Sequence, residues 1–358
     1  MIPRAANRLL LAAALAALGC TRTTELADWG DTGGEDGGVD DIIDMDCSAC
    51  PAEGAGLANL RCALDLCDPD VVLNGDGEYR EVTTYRLGVA DQTCTLDDTR
   101  EAIARFGDAT NDLEPRLNGS YAIMTSGDWD APLHMTSCSP VAEEDSGMDG
   151  YEYDSNPGAE GDVMYDAVEW KLQLRAPEDA RSFSFNYVFF SIEYDDFISS
   201  DANDKFYAEI EAASTNDGEA TVINFTACRD EEAYFDFECT PDIALTQGCT
   251  QGVNYCYVAI NSALSECCWY NDCPDGKAET SIEGTGYECA ESQLEETSEH
   301  GSSTGWLSTR WPIDGGEEFT LTFHIHDTMD STRDSAVILD AFRFYRKFSS
   351  GGTVVIIE

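Results

Sequence analysis

The sequence predicts an all-β domain, and three features carry that reading. Residues 317–346 contain Phe319, Leu321, Phe323 and Ile325 alternating with Thr320, Thr322, His324 and His326. A period of two is that of a half-buried strand. Asp327, Asp330 and Asp334 then make a polar turn before a second apolar run from 336 to 345. Residues 183–194 are almost continuously aromatic and β-branched, as expected of a central strand buried on both faces. Shorter alternating runs are separated by turn signals such as Asn216-Asp217-Gly218. Alternation from about 164 to 346 is expected to close into two facing sheets.

The first nineteen residues are set aside as a targeting segment. Arg4 and Arg8 precede an apolar stretch at 9–18 that is too short to span a bilayer. Ala17-Leu18-Gly19-Cys20 resembles the lipobox of bacterial lipoproteins, which implies cleavage before Cys20 and its acylation. An ordinary secretory signal with a chance cysteine is the competing reading. Residues 20–46 carry acids, Gly-Gly pairs and no apolar periodicity, the composition of a solvated tether.

Residues 47–70 form a cysteine-dense collar, in which Leu57, Leu60, Leu64 and Leu66 suggest a short helix. The main domain is expected over 71–347, with a cysteine-rich insert at 228–289 and a tail at 348–358. Strand signals start near Val71 and recur at 79–89 and 121–125. Between them, residues 97–106 read as a helix, with Asp97 or Asp98 as cap, Glu101 in the first turns and Gly107 as its close. Residues 139–162 are acidic and rich in Gly and Ser, hence a loop. Val168, Trp170, Leu172 and Leu174 alternate with polar residues, as do Phe206, Ala208 and Ile210. A hairpin turns at 216–218 into a strand at 221–226, and 255–260 is a short strand inside the insert.

Fifteen cysteines become fourteen once Cys20 is assigned to lipid. Cys47, Cys50, Cys62, Cys67, Cys94 and Cys138 form one even group. Cys228, Cys239, Cys249, Cys256, Cys267, Cys268, Cys273 and Cys289 form another. Even groups in an exported chain point to disulfides closing within each region. A zinc site on Cys47-x-x-Cys50 and the Cys62/Cys67 pair is the alternative.

Charge restricts partners. Seventy acids against twenty bases give −50, or −52 once the two arginines of the leader are lost. Nucleic acid and anionic membrane surfaces therefore make poor partners. Such a surface also suits solubility at high salt. The lipid is the expected membrane contact.

Four segments together resemble the choice-of-anchor L domain, a family of exported bacterial surface proteins. They are SYAIMTSG at 120–127, the block MYDAVEWKLQLRAPEDARSFSFNYVFFSIEYDDF at 164–197, NDKFYAEI at 203–210 and DSAVILDAFRF at 334–344. The resemblance spans roughly 71–347 and departs in the insert at 228–289 and the loop at 139–162. It implies a β-sandwich of jelly-roll type and brings no catalytic residues.

For chemistry, Asp327, Asp330 and Asp334 cluster in one inter-strand turn, while Glu193, Asp195, Asp196 and Asp204 fall in a matching loop. Calcium accepts six to eight oxygens from irregular loops, so Glu193, Asp195, Asp204, Asp327, Asp330 and Asp334 are its candidate ligands. The bland alternative is that an acidic chain places aspartates in every loop. His324-x-His326 projects two rings to one face of a strand, a zinc or copper pattern that the polar face of an exposed strand explains equally. No G-x-S-x-G and no H-E-x-x-H occurs. Trp129, Trp269, Tyr270, Trp306 and Trp311 sit in or beside loops, where they could stack on sugars or simply pack. The expectation is a non-enzymatic, lipid-anchored surface protein for adhesion or recognition, with a glycan or surface protein as ligand. A carbohydrate-binding or carbohydrate-cleaving module and a structural envelope protein are the alternatives.

Overall fold

A computed structural model describes residues 41–43, 45, 47, 53–81, 99–127, 129, 164–194, 204–227, 237–240, 251–259, 281–287, 300–328 and 334–356. The leader, Cys20, most of the tether and the loop at 139–162 lie outside these residues. Two antiparallel sheets pack face to face, each of eight strands among the described residues. The all-β sandwich expected from the alternation is what the chain forms.

In the first sheet, β1 (Ile42–Ile43), β3 (Arg100–Ile103), β4 (Tyr121–Thr125), β6 (Ser182–Tyr194), β12 (His300–Ser303), β13 (Leu307–Pro312), β15 (Ser335–Tyr345) and β16 (Gly352–Val355) assemble. The main path runs β16-β13-β6-β15-β4-β3, with β1 on β15 and β12 on β6. The second sheet takes β2 (Glu78–Glu81), β5 (Met164–Arg175), β7 (Lys205–Glu211), β8 (Thr221–Val222), β9 (Phe225–Ala227), β10 (Phe237–Glu238), β11 (Asn254–Ala259) and β14 (Glu318–Thr328). Its path is β10-β11-β7-β14-β5-β2, with β8 on β7 and β9 on β11. The two strands of 317–346 thus belong to different sheets, and residues 329–333 between them lie outside the described residues.

Between the sheets lies the main core. Phe319, Leu321, Phe323 and Ile325 of β14 meet Val168, Trp170, Leu172 and Leu174 of β5 and Phe206, Ala208 and Ile210 of β7. From the opposite sheet come Phe183, Phe185, Tyr187 and Phe189 of β6. Each large apolar side chain buried this way contributes about 1.5–3 kcal/mol. β6 also uses its other face: Val188, Phe190 and Ile192 join Phe106, Tyr121, Tyr287 and Trp306 in a second core. The aromatic run is buried on both sides because segments near 106–113 and 281–287 cover the outer face of its sheet.

Local signals and tertiary placement diverge at three points. Residues 100–103, expected in a helix, are strand β3, which pairs with β4. The cap and charge signals there are worth tenths of a kcal/mol, and the ladder to β4 together with the Gly54–Ala102 bridge outweighs them. The single α-helix among the described residues is α1 (Leu57–Ala63), in the collar. Its Leu60 and Ala63, with Leu64 and Leu66, enter the main core. The collar and the tail at 352–355 are therefore parts of the packed body. The insert likewise supplies β10 and β11 to the second sheet.

Candidate functional site

One end of the sandwich gathers acids between the two sheets. β14 runs antiparallel to β5 and β7, so its C-terminal end meets the N-terminal ends of both. Ile325 pairs with Val168, but Asp327 pairs with Tyr165. One extra residue is thus accommodated in β5, a β-bulge. Asp166 sits in it with φ of 46°, a left-handed conformation that Asp tolerates better than most residues. Asp204 directly precedes β7, and Asp334 directly precedes β15 in the facing sheet.

All four aspartates are buried; Asp166 is 0% exposed and Asp327 1%. Asp204 Oδ2 accepts a hydrogen bond from Ser335 Oγ at 2.6 Å, linking the sheets. Ser335 N donates to Ser126 Oγ, while Ser335 O accepts from Ser126 N and from Thr125 Oγ1. Asp334 packs directly on Gly127, where an added Cβ would lie 1.9 Å from its Oδ2. Only glycine permits that approach.

Among the described residues, neither oxygen of Asp166 has a hydrogen-bond partner, and neither oxygen of Asp327 has one of ordinary geometry. Burial, then Asp204, pushes the Asp166 carboxyl up to about 8. Asp327 is raised well above the carboxylate range by burial, then by Asp204, Asp334 and Asp166, with the nearby Ser126 hydroxyl pulling slightly the other way. The four acids therefore share one electrostatic environment. Tyr287 adds a fully buried phenol, raised by burial and then by Asp334, Asp327 and Asp204. Among the described residues, no three His, Cys, Asp or Glu side chains stand in a metal-holding arrangement as they are.

Of the candidate calcium ligands, Asp204, Asp327 and Asp334 are brought together here. The side chain of Glu193, on β6, and residues Asp195 and Asp330 lie outside the described residues. Sequence reasoning passed over Asp166. Its signal was present in the alternation: Asp166 stands two residues before Val168, on the inward parity of β5.

On the other face of the second sheet lies the histidine pair. As expected from the spacing, His324 and His326 share a face, with His324 Nε2 2.9 Å from His326 Nδ1. That face is covered, contrary to the expectation of an exposed strand: Thr322, His324 and His326 are all buried. Burial, then Arg80, lowers His324 to about 3, and burial, then His324 and Lys205, lowers His326 well below the usual imidazole range. Both rings are neutral and spend one nitrogen on each other. Lys205, beside His326, projects away from the neighbouring Asp204 by strand alternation. Glu209, on the same face, is pushed up to about 7 by burial, then by Glu211 and Glu169.

A second acidic pair joins the collar to the sandwich. Asp65 accepts from Asn118 Nδ2 and Ala341 N, and Asp340 accepts from Arg116 N and Ala341 N. The two carboxyls also bond to each other, the arrangement of two acids sharing one proton. Burial raises Asp65 to about 6 and Asp340 to about 8. Beside Asp65 opens a cavity of about 370 Å³ lined by Ile42, Met45, Asn118, Phe342 and Arg343.

Cys47 and Cys67 form a disulfide, which removes both from any zinc site. Cys62, Cys239 and Cys256 are disulfide-bonded too. The remaining nine expected partners, Cys50, Cys94, Cys138, Cys228, Cys249, Cys267, Cys268, Cys273 and Cys289, lie outside the described residues. Trp306 and Trp311, expected at loops, are buried, and their indole N–H groups donate to Asp112 O and Thr215 Oγ1. Trp269 and Tyr270 lie outside the described residues. No protein-family model, no curated protein and no solved structure matches the chain.

Proposed function

We propose that the chain is an exported bacterial surface protein, tethered through a lipid on Cys20, that displays its β-sandwich as a non-catalytic module for adhesion or recognition. The observation that carries the export reading is the oxidised state of Cys47, Cys67, Cys62, Cys239 and Cys256, which supports an oxidising compartment. The resemblance to the choice-of-anchor L domain supports the same reading. So does the character of the chemistry-bearing groups. The aspartates, the histidine pair and the Asp65–Asp340 pair are buried between or beneath strands, positions that favour bracing over turnover. Burial of Trp306 and Trp311 counts against these two as a platform for sugar stacking, and so weakens the carbohydrate alternative.

Intact-mass analysis of protein extracted from its native membranes tests the anchor. The expected species starts at Cys20 and carries acyl chains; Cys20→Ser should release the protein to the medium. Binding of the disulfide-intact protein to arrays of glycans and matrix proteins tests the module. Turnover of any polysaccharide would overturn the non-catalytic reading, and disulfide-linked multimers on non-reducing gels would favour a structural envelope role.

A further inference from the structure

Four carboxyls at this end of the sandwich pose an accounting problem. A buried polar group without a hydrogen bond costs about 1–3 kcal/mol, and a buried unpaired charge costs more. Asp166 and Asp327 present four such oxygens, at 0% and 1% exposure, on one shared electrostatic centre. Protonation removes the charge but still leaves the oxygens without partners. Orphaned buried groups in a native protein call for an unseen water or ion. The donors are all oxygen, which selects a hard cation over zinc or copper. They come from irregular strand ends, which suits calcium's adaptable shell of six to eight oxygens at about 2.3–2.6 Å better than the strict octahedron of magnesium.

We propose that Asp166, Asp204, Asp327 and Asp334 form a buried calcium site that pins the two sheets together at this end. Asp166, Asp204 and Asp327 reach it from β5, β7 and β14 of one sheet, and Asp334 from the head of β15 in the other. Ser335, already bonded to Asp204, and Ser126 set the facing wall. Without the ion the four acids repel one another; the ion draws them together by side-chain rotation. Asp166 lies two residues before Val168, so it shares the inward parity of β5, and the bulge accommodates the extra residue beside it. The site does not depend on what the displayed module recognises.

The test is calcium titration of the full disulfide-intact chain, by calorimetry and by thermal melting in calcium and in chelator. Calcium should bind with saturable stoichiometry and raise Tm by about 5–10 °C. Asp166→Asn keeps the shape and tolerates the left-handed backbone, so it should fold. It should weaken calcium binding about 100-fold or more and abolish the Tm shift. In chelator it should melt no lower than the wild type, since it takes one acid out of a crowded group of four; a merely structural residue would lower Tm in both conditions. Asp327→Asn serves as the second variant and should behave alike. Absence of a calcium-dependent shift in the wild type overturns the proposal. So does wild-type calcium affinity in both variants, which would place the ion elsewhere on the acidic surface.

Discussion

The molecule buries two groups of aspartates, and they are solved in opposite ways. Asp65 and Asp340 sit where the collar meets β15, and each accepts hydrogen bonds from named N–H donors. One shared proton settles the remaining repulsion. Asp166, Asp204, Asp327 and Asp334 sit at the far end of β5 and β14, and two of them have oxygens with no hydrogen-bond partner of ordinary geometry among the described residues. Both groups are equally deep, and both have raised pKa values. Burial and pKa alone therefore do not separate a self-contained acid pair from a site that needs a ligand. The inventory of hydrogen-bond donors does.

Asp340→Ala separates the two groups most sharply. It strips the acceptor from Arg116 N and one of the two acceptors of Ala341 N, so stability should fall by about 2–3 kcal/mol in chemical denaturation, equally in calcium and in chelator. A loss that vanished in calcium would show that the two groups form one system.

Smaller is the pH dependence of the pair, measured with calcium saturating so that the other group stays ionised. Asp65 and Asp340 have folded values of about 6 and 8, above the ordinary 3.8. Their contribution is thus fully present below about pH 4 and is lost as pH rises through 6 to 8, a decline of about 2 kcal/mol. Arg343 faces Asp65, while Asp340 faces Arg116 N and lies near Tyr121. None of these should reverse the sign. Asp340→Asn should flatten the profile; an unchanged slope would exclude the pair as its source.

Smallest is Gly127→Ala. Its Cβ would meet Asp334 and force that carboxyl aside, costing about 1 kcal/mol and weakening calcium binding about tenfold, as calorimetry would register. An unaltered affinity would mean that Asp334 stands outside the site.

Much of the sandwich was legible in residues 164–194 and 317–346. Alternation with a period of two fixes which side chains face inward whatever the partner strand is. Strand β3 was not legible, because Glu101 and its neighbours carry helix-compatible local signals and only the open edge of β4 decides otherwise. The acid cluster was half legible. Asp204, Asp327 and Asp334 stand at the ends of alternating runs, where a loop acid is expected, and Asp166 keeps the inward parity of Val168; that the four meet depends on the register between strands far apart in the chain. The cover over His324 and His326 was equally invisible, since a polar face reads alike whether water or protein lies on it.

By itself the sequence determined the class of fold, the identity of the core residues on β5, β6, β7 and β14, and the oxidation of Cys47, Cys62, Cys67, Cys239 and Cys256. These follow from short-range patterns, in which each residue's partner need only be apolar or oxidisable. Tertiary structure alone decided which sheet each strand joins, that the collar and the tail pack into the body, and that four aspartates distant in the chain meet at one end. Those outcomes rest on register and bulges between strands far apart in sequence, where a shift of one residue moves a carboxyl from solvent into the core.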